Sequence, residues 1–265
     1  GLLRRQRQMC IRDSLNIARV LVVFAIATRD FYRTPLPPDF CESLRVMTES
    51  PGISFDKPLP EGVTDLRPWF IAVHDLPEEI QWSEFWGNDQ PVELDVGCGR
   101  GLFLFNASLN NPQTNYLGLE LDFKEGRRSA KRLKKREAAN ARVAGGDAAI
   151  VLRKHIQPAT VDAVHVYFPD PWWRKKHRRR RIFTDAFVDL CSRVLKPGGH
   201  LHSWTDVPDY FDIIQALMDH HDDFETLPPP EERPPEHDMD YQTSFERKKR
   251  KEGFPIFRGL WQKKS

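Results

Sequence analysis

Three glycines follow a short apolar segment near the middle of the chain. Residues 92–96 predict a β-strand that runs into Gly97-Cys-Gly99-Arg-Gly101 and then into a predicted helix. Glycines between a strand and a helix allow the backbone to approach a ligand closely. Enzymes that bind dinucleotides need a further glycine at position 102, where this chain has Leu102. The spacing therefore argues against a cofactor that contains a pyrophosphate.

Acidic residues lie at the first three predicted strands. Asp95 stands inside the first strand, Glu120 ends the second, and Asp147 follows the third. A carboxylate at the position of Glu120 can accept hydrogen bonds from both ribose hydroxyls, and Asp147 can accept one from an adenine amino group. A buried Asp95 requires a cationic partner. These residues suit S-adenosylmethionine, which carries an adenosine, an ammonium and a sulfonium but no phosphate.

The segment Phe168-Pro-Asp-Pro-Trp172 follows the fourth predicted strand and lies at the edge of the expected cleft. Many methyltransferases that act on base amino groups carry an Asn/Asp-Pro-Pro-aromatic segment at this point. We interpret Asp170 as the reactive-site residue, held by two prolines that stiffen the backbone. Phe168 or Trp172 is expected to stack on the target base.

Strands and helices alternate around these residues. The strands are predicted at 92–96, 116–120, 141–144, 161–168 and 200–204, and the helices at 102–109, 123–140, 182–195 and 210–220. This order predicts an α/β fold with a mostly parallel sheet and helices on both faces. A further strand is predicted at 254–262, after a basic helical or looped piece that begins at Thr243.

The first 77 residues have a different character. We expect residues 1–77 to form an irregular, proline-rich N-terminal extension and residues 78–265 to form the methyltransferase domain. Within the extension, an arginine-rich start precedes the apolar run 20–27, which resembles a weak signal peptide and is too short to cross a bilayer. We expect residues 1–30 to be extraneous to the folded domain or to form a helix that packs on it, with secretion as the alternative.

Positive charge is concentrated in three blocks, although the formal net charge is only +2. The blocks are 124–136, with eight lysines and arginines, 174–181, which reads RKKHRRRR, and 247–251, which reads RKKRK. Solvated helix faces would explain one such block, whereas three blocks near sequence motifs favour a polyanionic partner. The four cysteines include no C-x-x-C pair, so we expect no metal site and a reducing, cytoplasmic location.

Several segments together resemble the tRNA (guanine-N7-)-methyltransferase family. They are FPDPWWRKKHRRRRI (168–182), ELDVGCGRG (93–101), YLGLELD (116–122) and Thr243-Ser-Phe-Glu246, and the resemblance covers residues 78–262. It implies a Rossmann-like class I methyltransferase with a mostly parallel, seven-stranded sheet. It also implies methyl transfer from S-adenosylmethionine to N7 of a guanine in tRNA, in the variable loop at the elbow.

The resemblance also assigns roles to individual residues. It implies cofactor contacts by the three glycines and four carboxylates Asp95, Gly97, Gly99, Gly101, Glu120, Asp147 and Asp170. Arg174 stands where many members have a lysine that contacts tRNA, and Asp206 matches an aspartate that contacts the substrate. Thr243, Ser244, Phe245 and Glu246 match a tail motif that lines the substrate pocket. Many bacterial members have glutamate in place of Asp95, so the shorter side chain puts the position of the methionine end in doubt.

The chemistry of guanine N7 defines what the site must do. N7 carries a lone pair and no proton, so methyl transfer needs positioning and desolvation more than a strong base. Asp170 can accept hydrogen bonds from guanine N1–H and the exocyclic amine, which adenine lacks in that arrangement. The block 174–181 is expected to grip phosphates near the target.

Three other functions stay open at this point. The chain could be a class I methyltransferase for another RNA base or a small molecule, an RNA-binding module with a decayed site, or a nicotinamide dehydrogenase, which Leu102 disfavours. For the leading hypothesis we expect tRNA as the partner and no membrane association. We also expect a monomer or homodimer, because the basic surface needs no partner subunit to supply charge.

Overall fold

A single mixed sheet organises the computed structural model, which describes Gly62, residues 64–229 and residues 241–265. Its eight strands in this part of the chain are β1 (Phe70–Ala72), β2 (Val92–Val96), β3 (Asn115–Glu120), β4 (Ala141–Gly145), β5 (Val161–Tyr167), β6 (Leu195–Thr205), β7 (Phe224–Leu227) and β8 (Phe257–Lys263). They lie in the order β1-β4-β3-β2-β5-β6-β8-β7. All neighbours from β1 to β6 are parallel, and β8 pairs antiparallel with both β6 and β7.

Seven α-helices connect the strands within the described residues. They are α1 (Trp82–Trp86), α2 (Leu102–Asn110), α3 (Phe123–Lys135), α4 (Ala148–Ile150), α5 (Asp185–Val194), α6 (Pro208–Asp219) and α7 (Ser244–Lys251). A π-helical turn at Val151–His155 extends α4, and 3₁₀ turns lie at Val73–Asp75 and Lys175–Arg180. This arrangement confirms the predicted α/β fold with a mostly parallel sheet.

The two faces of the sheet bury separate apolar clusters. On one face, residues of α1, α4, α5 and α6 pack against Leu94, Leu117, Val164, Leu201 and Trp261. On the other face, α2 and α3 pack against Tyr116, Ala141 and Val143. The middle strands are buried on both faces because helices cover both, which explains their nearly continuous apolar sequence.

The sheet has eight strands in the described residues, whereas the sequence pattern located six of them and the resemblance implied seven. The two that sequence analysis missed are β1 and β7, which have three and four residues and form the two edges of the sheet. Strand β1 pairs with β4 and lies before the expected domain boundary at residue 78, within the segment predicted to be irregular. Strands this short carry too few residues for a periodic pattern. The predictions for residues 1–61 lie outside the described residues.

Helix α3 ends earlier than predicted. Asp122 caps its start by accepting hydrogen bonds from the backbone N–H groups of Lys124 and Glu125, but the helix stops at Lys135 rather than near Asn140. Glu137 adopts a left-handed backbone with a φ of 53°, and the indole N–H of Trp69 donates to the carbonyl of Ala138. The turn at Glu137 therefore ends the helix, although the basic sequence continues with Arg136 after the last helical residue.

A local capping interaction defines the start of α7. The side chain of Thr243 accepts a hydrogen bond from the backbone N–H of Glu246, and the Glu246 carboxylate accepts one from the N–H of Gln242 at 2.7 Å. This reciprocal pairing resembles a capping box. Glu246 is buried and also accepts from Arg250 at 2.8 Å. Part of the tail motif is therefore used to begin the helix that precedes β8.

Within residues 64–229 and 241–265, every helix falls short of the length and apolar content needed to cross a bilayer.

The burial of Trp261 provides a test of the core. This residue is 1% exposed and stands in β8, between the strands that it joins. We expect Trp261→Ala to lower the free energy of unfolding by about 3–5 kcal/mol, because it leaves a large cavity. Trp173→Ala, at a tryptophan that is 46% exposed, should cost less than about 1 kcal/mol. Urea unfolding measures both, and equal losses would contradict this assignment.

The cap of α7 can be tested with two adjacent hydroxyl groups. Thr243→Ala removes the cap and should destabilise α7 by about 1 kcal/mol, whereas Ser244→Ala, at the first helical position, should change it by less than about 0.5 kcal/mol. Hydrogen exchange of the α7 amides measures the difference. Equal protection in the two variants would show that the Thr243 hydroxyl does not cap the helix.

Candidate active site

The order of strands places a crevice between β2 and β5. From β2 the chain builds β3 and β4 on one side and then crosses to build β5 and β6 on the other side. Ligands of open α/β sheets bind at the carboxyl ends of the strands where this reversal occurs. A cavity of about 960 Å³ lies there, and four of the predicted site residues line it: Gly97, Glu120, Asp147 and Asp170.

The glycine turn that follows β2 requires its glycines. Gly97, Gly99 and Gly101 have φ values of 79°, 53° and 67°, in the left-handed region. A Cβ atom at Gly101 would lie 1.9 Å from the hydroxyl of Ser129 on α3, so a side chain there would push the two helices apart. The turn closes with a 2.8 Å hydrogen bond from the N–H of Gly101 to the carbonyl of Cys98. At Gly97 the turn therefore brings backbone that carries no side chain to the cavity.

Two backbone hydrogen bonds hold Glu120 at the end of β3. One carboxylate oxygen accepts from the N–H of Gly99 at 2.7 Å and the other from the N–H of Asp122 at 2.9 Å. Each carboxylate oxygen retains a lone pair for another donor. The side chain is thus fixed in position and still able to accept a pair of hydroxyl groups.

Asp147 lies on the neighbouring strand exit. Its carboxylate accepts from the N–H of Ala149 at 2.8 Å and caps α4. The preceding Gly146 donates its N–H to the carbonyl of Glu120 at 2.9 Å, which joins the two acidic strand ends. Leu121 is 72% exposed beside them and also lines the cavity. An exposed leucine can pack against the face of a planar heterocycle. The neighbouring carboxylate can accept a hydrogen bond from an amino group on the edge of that heterocycle.

Asp95 lies deeper in the sheet, two residues before Gly97. It is 3% exposed, and among the described residues no hydrogen bond or ion pair to its carboxylate is observed. Burial, with a smaller contribution from Glu120, raises the pKa of Asp95 to about 8. A cation placed beside this group would favour its ionised form and lower that pKa.

Phe168 to Trp172, which we call the rim segment, forms one edge of the cavity and carries Asp170. Phe168 and Trp172 have φ values of 53° and 41°, a conformation that costs bulky residues about 1–3 kcal/mol each. The N–H of Phe168 donates to the carbonyl of Trp204 at 2.7 Å, and Arg181 Nε donates to the carbonyl of Pro171 at the same distance. The rim segment is therefore held in a strained shape from both ends, with Asp170 exposed to the cavity.

The basic loop, Arg174–Arg181, folds back onto the rim segment. The guanidinium of Arg180 lies 5.1 Å from the ring centre of Trp172, and that of Arg181 lies 5.3 Å from that of Trp173. The cavity is lined by three residues of the loop, Arg179, Arg180 and Arg181. Arg174, which sequence analysis selected, is exposed and is not among the lining residues. The positive charge of the loop thus reaches the cavity through Arg179, Arg180 and Arg181 at its end.

The predicted tail residues reach the site in different ways. Phe245 is 51% exposed, and its ring lies 5.7 Å from that of Phe168. Asp206, at the exit of β6, forms a 2.9 Å ion pair with Lys249 of α7. Thr243 and Glu246 use their side chains within the helix cap, and burial raises the pKa of Glu246. The structure therefore brings Phe245 against the rim segment and uses Asp206 to fasten α7.

Among the cavity-lining residues that sequence analysis did not select are Arg153 and Tyr167, which carry polar side chains. Arg153 stands on the π-helical turn, and its sequence carries no signal that this turn would face the crevice. Tyr167 lay inside a predicted strand and was treated as part of it.

Across the described residues, no group of three or more histidine, cysteine or carboxylate side chains converges as a metal site would require.

Comparison with known proteins gives the family. Residues 89–259 match the model of a family described as putative methyltransferase. The tRNA (guanine-N(7)-)-methyltransferase of Rhodopirellula baltica is 41% identical over 227 residues, which cover 83% of each chain. That of Thiobacillus denitrificans is 30% identical and covers 75% of this chain and 85% of its own. An rRNA methylase structure from Streptococcus thermophilus has a TM-score of 0.44 at 12% identity, covering 67% of this chain and 89% of that one. The chain belongs to the tRNA (guanine-N(7)-)-methyltransferase family.

Proposed function

We propose that this protein transfers a methyl group from S-adenosylmethionine to N7 of a guanine in tRNA, in the variable loop. The observation that carries the proposal is one continuous cavity. Glu120 and Asp147 line it at the ends of β3 and β4, and Asp170 lines it beside the arginines of the basic loop. Such a cavity can hold a nucleoside-containing cofactor and a nucleotide of an RNA side by side.

The cofactor would lie along the ends of β2, β3 and β4. Glu120 is positioned to accept from the ribose hydroxyls, because its carboxylate is already oriented by two backbone N–H groups. Asp147 and Leu121 would hold the adenine edge and face, and Gly97, Gly99 and Gly101 would let the backbone approach the methionine portion. Asp95 would face its positive end. The sulfonium of the bound cofactor supplies the methyl group.

The target guanine would lie against the rim segment. Asp170 is exposed to the cavity and can accept from N1–H and the exocyclic amine, which leaves N7 directed at the methyl group. Because N7 has a free lone pair, the residues need to orient the base and exclude water rather than remove a proton. The strained and doubly anchored backbone of the rim segment serves this orientation. Phe168, in ring contact with Phe245, offers an aromatic surface for stacking.

The basic loop would bind the phosphates that flank the target. Its arginines carry planar groups that bind phosphate bidentately. Arg174 would contact the RNA outside the cavity, and Asp206 would act through the α7 helix that it fastens. Thr243, Ser244 and Glu246 would contribute through the position of α7. We further propose action in the cytoplasm as a monomer or homodimer without an obligate partner subunit.

The role of Asp170 is tested by Asp170→Ala. We expect formation of N7-methylguanosine to fall at least about 100-fold, because the base loses its orienting acceptor. The affinity for S-adenosylhomocysteine, measured by calorimetry, should change less than about threefold, since the backbone loop and Glu120 remain. Methylation is measured by nucleoside analysis of tRNA by mass spectrometry.

Asp212→Ala, at an exposed aspartate in the middle of α6, is the matched control and should keep full activity. Unchanged product formation by Asp170→Ala would contradict the assigned role. A product other than N7-methylguanosine from the unsubstituted protein would contradict the proposed reaction.

The basic loop is tested through salt dependence. Replacing Arg178 and Arg179 with glutamine should raise KM for tRNA about tenfold and reduce the slope of log affinity against log salt by about 1 for each lost phosphate contact. KM for S-adenosylmethionine should stay the same. Lys154→Gln, at an exposed lysine on the π-helical turn, is the control. An unchanged salt slope in the double variant would exclude phosphate binding by this part of the loop.

A further inference from the structure

Three ionisable side chains form a hydrogen-bonded chain within the sheet. Glu93 on β2 lies 2.8 Å from His165 Nε2 on β5, and His165 Nδ1 lies 2.9 Å from the hydroxyl of Tyr167. The chain runs toward the carboxyl ends of the strands, where Tyr167 lines the cavity. We call these residues the Glu-His-Tyr chain.

The direction of the hydrogen bonds follows from the chemistry of the groups. A carboxylate only accepts, so His165 Nε2 carries the hydrogen that Glu93 receives. In a neutral imidazole Nδ1 is then the acceptor, and the hydroxyl of Tyr167 donates to it. The donor capacity of Tyr167 is thereby used, and its oxygen presents only lone pairs to other neighbours.

The imidazole of His165 has little freedom to turn. It stacks on His202 with ring centres 4.7 Å apart and planes at 22°, and the ring of Phe103 lies 4.6 Å away on α2. Burial lowers the pKa of His202 well below its ordinary value, so the stacked neighbour is neutral. The packing fixes the ring that connects Glu93 to Tyr167.

Tyr167 lies close to Asp95, a carboxylate that the proposed cofactor site uses. Asp95 is the strand partner of His165, so its side chain projects from the same face of the sheet. Burial raises the pKa of Tyr167 well above 10, and Asp95, Glu93 and Glu246 contribute to the same shift. The phenol therefore stays protonated, and its oxygen lies in a strongly acidic environment within a residue that lines the cavity.

We propose that Tyr167 binds the ammonium group of the cofactor's amino-acid end together with Asp95, and that Glu93 and His165 are positioning residues for the Tyr167 oxygen. An ammonium group has three hydrogen-bond donors and no acceptor, so it matches an oxygen whose own hydrogen is already used. It also supplies the cation that the buried Asp95 otherwise lacks. This inference rests on the proposed function, because it assigns a contact to the cofactor of that reaction.

A purely structural role for the Glu-His-Tyr chain predicts a different pattern of ligand binding in the variants. Glu93, His165 and Tyr167 would then only fasten β2 to β5, and their loss would weaken the whole site equally. Binding measurements with two ligands distinguish these two roles. S-adenosylhomocysteine carries the ammonium, whereas 5′-methylthioadenosine has the same adenosine and thioether but lacks the amino-acid end.

The experiment measures both ligands by calorimetry on the full chain and on three variants. Tyr167→Phe should weaken S-adenosylhomocysteine binding about tenfold and change 5′-methylthioadenosine binding less than about twofold. Glu93→Gln should give a smaller loss of the same kind, because an amide can either accept from or donate to His165 and no longer fixes its tautomer. Tyr116→Phe is the matched control, since Tyr116 is a buried tyrosine on β3, is the strand partner of Glu93, and does not line the cavity.

The outcomes distinguish the proposals. An equal loss for both ligands in Tyr167→Phe, or no loss for either, would overturn the ammonium contact. If Tyr167→Phe does not fold, the selectivity of Glu93→Gln between the two ligands decides in the same way. Failure of the unsubstituted chain to bind either ligand would overturn the cofactor assignment itself, and this inference with it. If the variants show the expected change in ligand selectivity but the unsubstituted protein forms no N7-methylguanosine, only the proposed reaction is contradicted.

Discussion

The carboxylate of Glu120 connects the parts of the site that come from different strands. It accepts from Gly99 in the turn after β2 and from Asp122 at the start of α3, while the carbonyl of the same residue accepts from Gly146 after β4. Three strand exits are thus fixed relative to one another by one residue. A shift of β3 would therefore move three other features of the site. They are the backbone at Gly97, the helix cap at Asp147 and the position of α3.

The charges of the site are separated by depth. The carboxylates Asp95, Glu93 and Glu120 lie within or at the end of the sheet, and the arginines of the basic loop lie outside it at the rim. In the proposed reaction, a cationic cofactor would be attracted inward and a polyanionic RNA would be held at the surface. The reacting atoms would then meet at the boundary between the two regions, where Asp170 stands. Because this boundary runs through one cavity, neither ligand would have to displace the other.

Much of this site could be predicted from the sequence because the signals are local. The glycine turn, Glu120 and Asp147 follow directly from strand ends, and the rim segment and basic loop are continuous in the chain. The Glu-His-Tyr chain could not be predicted, because the contact between Glu93 and His165 depends on the register of two strands 72 residues apart. The two edge strands were missed because they are too short for a periodic pattern, and the end of α3 depends on a contact with Trp69. For Thr243 and Glu246, the resemblance implied a place in the lining of the substrate pocket, whereas the structure uses their side chains in a helix cap.

Strand β8 lies between β6 and β7, although it follows both in the chain. During synthesis β7 therefore emerges without a neighbour and cannot pair until residues 257–263 have been made. The same late segment follows α7, whose Phe245 contacts the rim segment and whose Lys249 holds Asp206. An unfinished chain consequently exposes the edge of β6 and lacks the contacts that α7 makes with Phe168 and Asp206. The order of the strands thus leaves the sheet and the contacts of α7 incomplete until translation has passed this point.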